Sequence, residues 1–146
     1  MADLLQKFLD LLTPQGLAVM WLPSDLDALL EAGKAVVQVH RGGLGEDGLW
    51  DSSAVQLGIR GRTRKNSWEV AEYVRQVMLA HDGGSAVRRA DGSLTGIGHV
   101  YEINGPQDAV DLNPDERLVP VAFHVDLRLP RSLPDYARII RDSIPL

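Results

Sequence analysis

Cysteine is absent from this 146-residue chain. That excludes disulfides, thiolate metal sites and a thiol nucleophile, and it fits a cytosolic folding environment. No apolar run approaches the roughly 18 residues of a membrane-spanning helix, so no membrane contact is expected. Asp3 stands early, and no basic segment precedes a small-residue cleavage site, so a secretory signal is not expected either. Positive charge is in deficit: the formal net charge is −5, a sign that argues against general affinity for nucleic-acid phosphates. Aromatic residues make up only 5% of the chain, and no interleaved set of them is available to stack single strands.

Motifs that would carry chemistry are also missing. His40, His81, His99 and His124 are the four histidines, and no two stand at metal-ligand spacing. There is no nucleophile elbow of the Gly-x-Ser-x-Gly type. Arg41-Gly42-Gly43-Leu44-Gly45 has the glycines of a phosphate loop but lacks the Gly-Lys-Ser/Thr ending, and no helix follows to supply amides and a dipole. No catalytic, cofactor-binding or metal-binding residue is therefore expected. His99 and His124 fall in strands, where structural histidines are the rule, although the two could meet across paired strands.

What is present is a well-marked core. The hydrophobic fraction of 45% and charged fraction of 24% are those of an ordinary globular domain. Val55, Leu57 and Ile59 alternate with Ala54, Gln56, Gly58 and Arg60, which predicts a strand with one buried face. A basic turn follows, then a helix expected to be capped by Asn66 with Glu69 reaching back. Val70, Tyr73, Val74, Val77 and Met78 share its apolar side, and Asp82-Gly83-Gly84 ends it, with His81 facing the negative end of the dipole. The strongest strand signal is Val119, Val121, Phe123, Val125, Leu127 and Leu129 in strict alternation, with Pro120 placing its start at an edge or a bulge.

The remaining elements are shorter. Asp3 can cap a helix through about Leu12, and Ser24 a second one closed by Gly33. Leu17 to Trp21, Lys34 to His40 and Ile97 to Asn104 read as strands, the last with Ile97, His99, Tyr101 and Ile103 on one face. Arg41 to Gly48 reads as an exposed loop between antiparallel strands, and Ala90-Asp91-Gly92-Ser93 as a hairpin turn. A short helix with apolar Tyr136, Ile139 and Ile140 can start at Pro134-Asp135. This order predicts an α+β fold: a single, mostly antiparallel β-sheet packed by one long helix, with short flanking helices. Residues 1–130 form one domain in this reading, and residues 131–146 a C-terminal tail or short helix.

Charge gathers in a few places. Arg60, Arg62, Arg64 and Lys65 surround the turn before the long helix, and Arg88 and Arg89 form a basic pair. Asp108, Asp111, Asp115 and Glu116 lie in one acidic loop without calcium-loop spacing. Solvated surface is the plain reading of these charges; the functional alternative for the basic run is an electrostatic contact with an acidic partner or with DNA, and for the acidic loop a catalytic pair or a calcium site.

The arrangement resembles a known family. A leading helix, a short strand pair, "DSSAVQLGIRG" running into "SWEVAEYVRQVMLA", then "GHVYEINGP" and the closing "RLVPVAFHVDLRLP" are similar to the tail terminator proteins of long-tailed phages (siphoviruses). The style is closest to terminators of phages that infect actinobacteria. The landmarks are Asp51, Val55, Gln56, Gly61, Ala71, Gly105-Pro106 and Arg128, and the likeness runs from Leu4 to Leu129. The resemblance implies a virion structural protein and not an enzyme. It implies a hexameric ring at the tail–neck junction, assembled in the host cytoplasm, that ends tube polymerisation and provides the head-joining surface. The implied partners are further copies of the chain, the major tail tube protein and a head-completion or neck protein. DNA would pass through the channel without specific binding. The competing readings are another neck component, an adaptor or stopper, and a small α+β enzyme or ligand-binding domain. For the ring, the charged positions Arg60, Arg62, Arg64, Lys65, Arg88, Arg89, Asp108, Asp111, Asp115 and Glu116 are candidate subunit or partner contacts, together with the first helix, the glycine loop and the C-terminal tail.

Overall fold

Hydrophobic alternation in the middle and late parts of the chain builds a sheet, and the sheet positions everything else. The computed structural model describes residues 1–46, 50–88, 91–92, 94–106, 116–128 and 136–143. The elements are α1 (Ala2–Leu9), β1 (Leu17–Val19), α2 (Leu26–Glu31), β2 (Val36–Glu46), β3 (Trp50–Arg60), α3 (Arg64–Leu79), β4 (Ser85–Arg88), β5 (Leu94–Asn104), β6 (Val119–Arg128) and α4 (Tyr136–Ser143). The fold is α+β, with six strands in one sheet ordered β1-β2-β3-β6-β5-β4. β1 runs parallel to β2, and the other four pairings are antiparallel, so the sheet is mixed. No described helix is long and apolar enough to cross a membrane.

The core lies on one face. Val55, Leu57 and Ile59 of β3 and Val119, Val121, Phe123 and Val125 of β6 are all buried, as their alternation requires. Against them pack Ala71, Val74, Val77 and Met78 of α3 and Leu4, Leu5 and Leu9 of α1. Phe123 is fully buried in the middle of this cluster, and burial of such a side chain contributes about 1.5–3 kcal/mol. Gln6 ties α1 to β1: its amide donates to the Gly16 carbonyl at 3.0 Å, and its oxygen accepts the Ala18 N–H at 2.8 Å.

The opposite face is mostly open. Leu30 of α2 is buried with Ala35 and Val36, outside the main cluster. Beyond that corner the face presents His40, Gln56 and Tyr101 to solvent, with Ala54, Ala122 and His124 half-buried between them. α2 closes as expected on Gly33, whose φ is +83°. Gly33 N–H reaches the Leu30 carbonyl at 2.9 Å and Lys34 N–H the Leu29 carbonyl at 3.1 Å, the two bonds of a Schellman motif.

Several boundaries differ from the sequence reading. The α3 cap is Thr63, not Asn66: Thr63 is extended and its hydroxyl oxygen accepts the Asn66 N–H at 3.2 Å. Asn66 is one turn inside, its side-chain oxygen taking the Thr63 hydroxyl proton at 2.8 Å. α1 ends at Leu9, not Leu12, and neither it nor α2 has a side-chain cap, so Asp3 and Ser24 do not play that part. The first strand stops at Val19. Arg41 to Glu46 is not a loop but the second half of β2, since backbone pairing with β3 continues whatever the side chains are. A register shift between Gly43 and Gly45 takes up one extra residue there, with Gly45 at φ +146°.

β5 shows a second shift. Its register with β6 jumps between Ile97 and Val100, so the buried set moves from Ile97 to Val100. His99, Tyr101 and Ile103 therefore leave the face that Ile97 occupies and are exposed. β6 is interior over most of its length, but its start is open on the β5 side and lies beside a register shift between Glu102 and Asn104, as Pro120 led the sequence reading to expect. Pro120 is tolerated because it pairs Gly58 on one side, while β5 pairing ends at Ala122 on the other.

Candidate assembly surfaces

The turn before α3 is rigid. Gly61 N–H donates to the buried Ser67 hydroxyl at 2.7 Å, and that hydroxyl donates to the Thr63 carbonyl at 3.1 Å. A Cβ on Gly61 would stand 2.8 Å from the Ser67 backbone nitrogen, so only glycine fits. From this turn Arg62, Arg64 and Lys65 project into solvent, while Arg60 is buried in the strand end and is not part of the exposed group. Arg62 lies 3.8 Å from Glu31 of the same chain, an exposed pair worth about 0–1 kcal/mol. Glu116 is exposed just before β6, at the same end of the sheet. Arg88 is on β4, far from the turn, its guanidinium donating to the Gly92 carbonyl at 3.1 Å. Arg89, Asp108, Asp111 and Asp115 lie outside the described residues.

A polar cluster sits on the open face. Tyr101 stacks on His124 with ring centroids 4.5 Å apart and planes 9° from parallel. His99 does not meet His124 across the strands, because the β5 bulge puts Tyr101 opposite it; His99 instead lies 3.5 Å from Asp82. Asp126 accepts the Ser52 hydroxyl at 2.6 Å and stands 2.8 Å from His124 Nε2. Partial burial pushes the Asp126 carboxyl up, but the hydrogen bonds from Ser52 and His124 outweigh it and hold the group below its ordinary value. Serine, histidine and aspartate are the residue types of a hydrolase relay, yet here the carboxylate stands in the middle. A relay needs the imidazole between nucleophile and acid, so this geometry orders side chains without activating Ser52.

On the helix side, a cavity of about 310 Å³ opens between the start of α1 and the β4–β5 hairpin, lined by Leu4, Arg41, Val87, Arg88, Ile97 and Leu127 among others. Arg41 is held there by Asp51 and by the Ser53 hydroxyl. The cavity lining mixes apolar side chains with the charged Asp3, Arg41 and Arg88, and no group of three or more candidate metal ligands occurs among the described residues.

The two flanks of the sheet are the surfaces that sequence reasoning missed. Met20, Trp21 and Leu22 are exposed one after another just past β1, Trp21 at 82%. On the far flank Tyr101 and Ile103 are about half exposed. The only signal was the run of apolar residues at 17–22, which reads equally well as a buried strand. α4 also presents Ile139 and Ile140 to solvent.

A family model described as phage tail termination protein matches residues 1–134. No match is found among curated proteins.

Proposed function

The chain belongs to the phage tail termination protein family, a family of tail proteins and not of enzymes, and from that premise we propose that it caps the tail tube as a closed ring. In this proposal six copies stop tube polymerisation at the tail–neck junction and provide the surface that joins the head. The observation that carries it is the family match across nearly the whole chain, residues 1–134. Two features of the molecule support it. The open sheet face holds an ordered Ser52–Asp126–His124 set in the wrong order for nucleophilic catalysis. The two sheet flanks differ from each other, and unlike patches are what a head-to-tail ring requires.

The partners in this proposal are other copies of the chain, the tube protein and a head-completion or neck protein. Arg62, Arg64 and Lys65 offer a contact to an acidic loop of a neighbouring copy. Net charge of −5 suits a ring through which DNA slides without sticking. Residues 1–130 are the ring domain and 131–146 an appendage.

The test is electron microscopy of purified tail tubes with the added protein. The expected result is a ring of six at one end of each tube and loss of tube elongation. A protein that binds only heads, or only an already capped tube, would instead be an adaptor or stopper.

A further inference from the structure

The sheet is notched at opposite corners. β1 has three residues and covers only Val36 to Gln38 of the eleven-residue β2. The chain then leaves the edge at Met20, whose carbonyl accepts from the Gln38 side chain at 3.4 Å. From His40 onward the outer edge of β2 has no described strand beside it, and a Cβ added at Gly42, Gly43 or Gly45 would meet nothing within 4 Å. On the other flank β4 has four residues and covers only Leu94 to Ile97 of β5. Asp82 takes the Val100 N–H at 3.1 Å, and no described strand flanks Tyr101 to Asn104.

Registers fix which end each notch occupies. Val36 pairs Arg60 and Glu46 pairs Asp51, so the open half of β2 lies at the Asp51 end of β3. Asp51 pairs Leu127, and Leu127 pairs Ile97, so β4 lies at that same end. The open half of β5, which reaches Ala122, lies toward the end that β1 occupies. Counted across the sheet the two orders are β5-β6-β3-β2-β1 and β4-β5-β6-β3-β2; β5 stops at the Gln56 level, short of the Gly58 level where β1 pairs, and β4 starts at the Asp51 level where β2 ends, so neighbouring copies meet with an axial stagger that brings both notches into line. Both orders repeat after the same number of strands, so each flank has the shape the other lacks.

We propose that copies of this chain join flank to flank in a lap joint, β4 of one copy lying beside the open half of β2 of the next, and β1 of that copy beside the open half of β5 of the first. The occupant of each notch is a second copy of the chain, and the sheet continues from subunit to subunit. Strand senses fit without inversion. With every copy oriented alike, β4 runs parallel to the neighbouring β2 and β1 antiparallel to the neighbouring β5. The unpaired backbone groups of each edge then gain partners, which is what makes an open edge adhesive. Met20, Trp21 and Leu22 stand where β1 gives way to the neighbour's β4, and Trp21 acts as the anchor. The contact is heterologous, so it propagates until a ring closes. This rests on the ring proposed above and names how it is held.

The absence of cysteine makes the test direct. Gly42→Cys and Ala86→Cys lie on exposed strand positions on the face away from α3; on the second half of the joint Val19→Cys is a half-buried position paired with Gln38, and Ile103→Cys is an exposed position at a register shift of β5. Neighbouring strands run about 4.8 Å apart, within disulfide range. Each member of a pair is made in a separate full-length chain, and the two are mixed, oxidised and run on a denaturing gel, alone and on tail tubes. The expected result is a mixed disulfide in both pairs and none with either variant alone. Gly42→Cys chains that link to one another would overturn the joint in favour of a two-fold contact. Rings by mass photometry without links in either pair would overturn the joint and leave the ring intact. A chain that stays monomeric and never caps tubes overturns both. Trp21→Ser, folded by circular dichroism, is expected to weaken ring assembly at least about tenfold; unchanged assembly removes Trp21 as anchor.

Discussion

Thr63, Gly61 and Ser67 show how one residue can decide where a helix starts. Asn66 has the right chemistry for a cap, but Gly61 brings the chain so close to Ser67 that the helix must begin at Arg64. Thr63→Ala is expected to lower stability by about 1 kcal/mol in chemical denaturation, as loss of a cap does. Asn66→Ala should cost less than half of that, since the Asn66 side chain accepts the Thr63 hydroxyl and donates to Glu69 at a long 3.5 Å but caps no helix N–H. Equal losses would return the cap to Asn66. Asp126 offers a pH test. Its folded pKa is depressed, so its contribution to stability is present above the unfolded value of about 3.9 and is lost as pH falls through the lower folded value. Asp126→Asn should therefore flatten the fall of Tm below about pH 4 and lower Tm at pH 7. An unchanged acid limb would mean that Ser52 and His124 do not stabilise the carboxylate.

Among elements, the reading succeeded where one face decided everything. β3 and β6 follow from alternation because both lie between other strands, and a one-residue slip would expose their whole apolar set. It failed in β5, where a bulge moves the buried position from Ile97 to Val100, and Gly98 inside the strand is the signal it passed over. It also failed in the second half of β2, where glycines signal a loop but the ladder to β3 carries the strand through Glu46. β4 was hidden in a polar, glycine-rich stretch because it is short and half-exposed. α4 leaves Ile139 and Ile140 half exposed, so truncation after Leu129 is expected to leave the melting of the domain within about 2 °C while impairing head joining or ring assembly. Tails of normal length that still join heads would show that residues 130–146 make no required contact.

For the whole molecule, the charged positions among the described residues do not form one patch. Arg62, Arg64 and Lys65 share one end of the sheet with Glu116, and Arg88 lies on a flank at the other end. Reversing charge at Arg62 and Arg64 should change fold stability by less than about 1 kcal/mol, because the pair with Glu31 is exposed. The same change is expected to disrupt ring assembly, scored by mass photometry and by the lengths of tails made with the variant. Normal rings and normal tails would make the turn simple solvated surface.

The sequence by itself determined the α+β class, the buried faces of β3, β6 and α3, and the family. Those depend on periodic burial and on element order, which are written locally along the chain. Tertiary structure alone decided the parallel placement of β1, the bulges in β2 and β5, and the exposure of Trp21. It also decided that the two flanks are notched at opposite ends, because register between strands distant in sequence is fixed by packing and backbone pairing and not by any one segment.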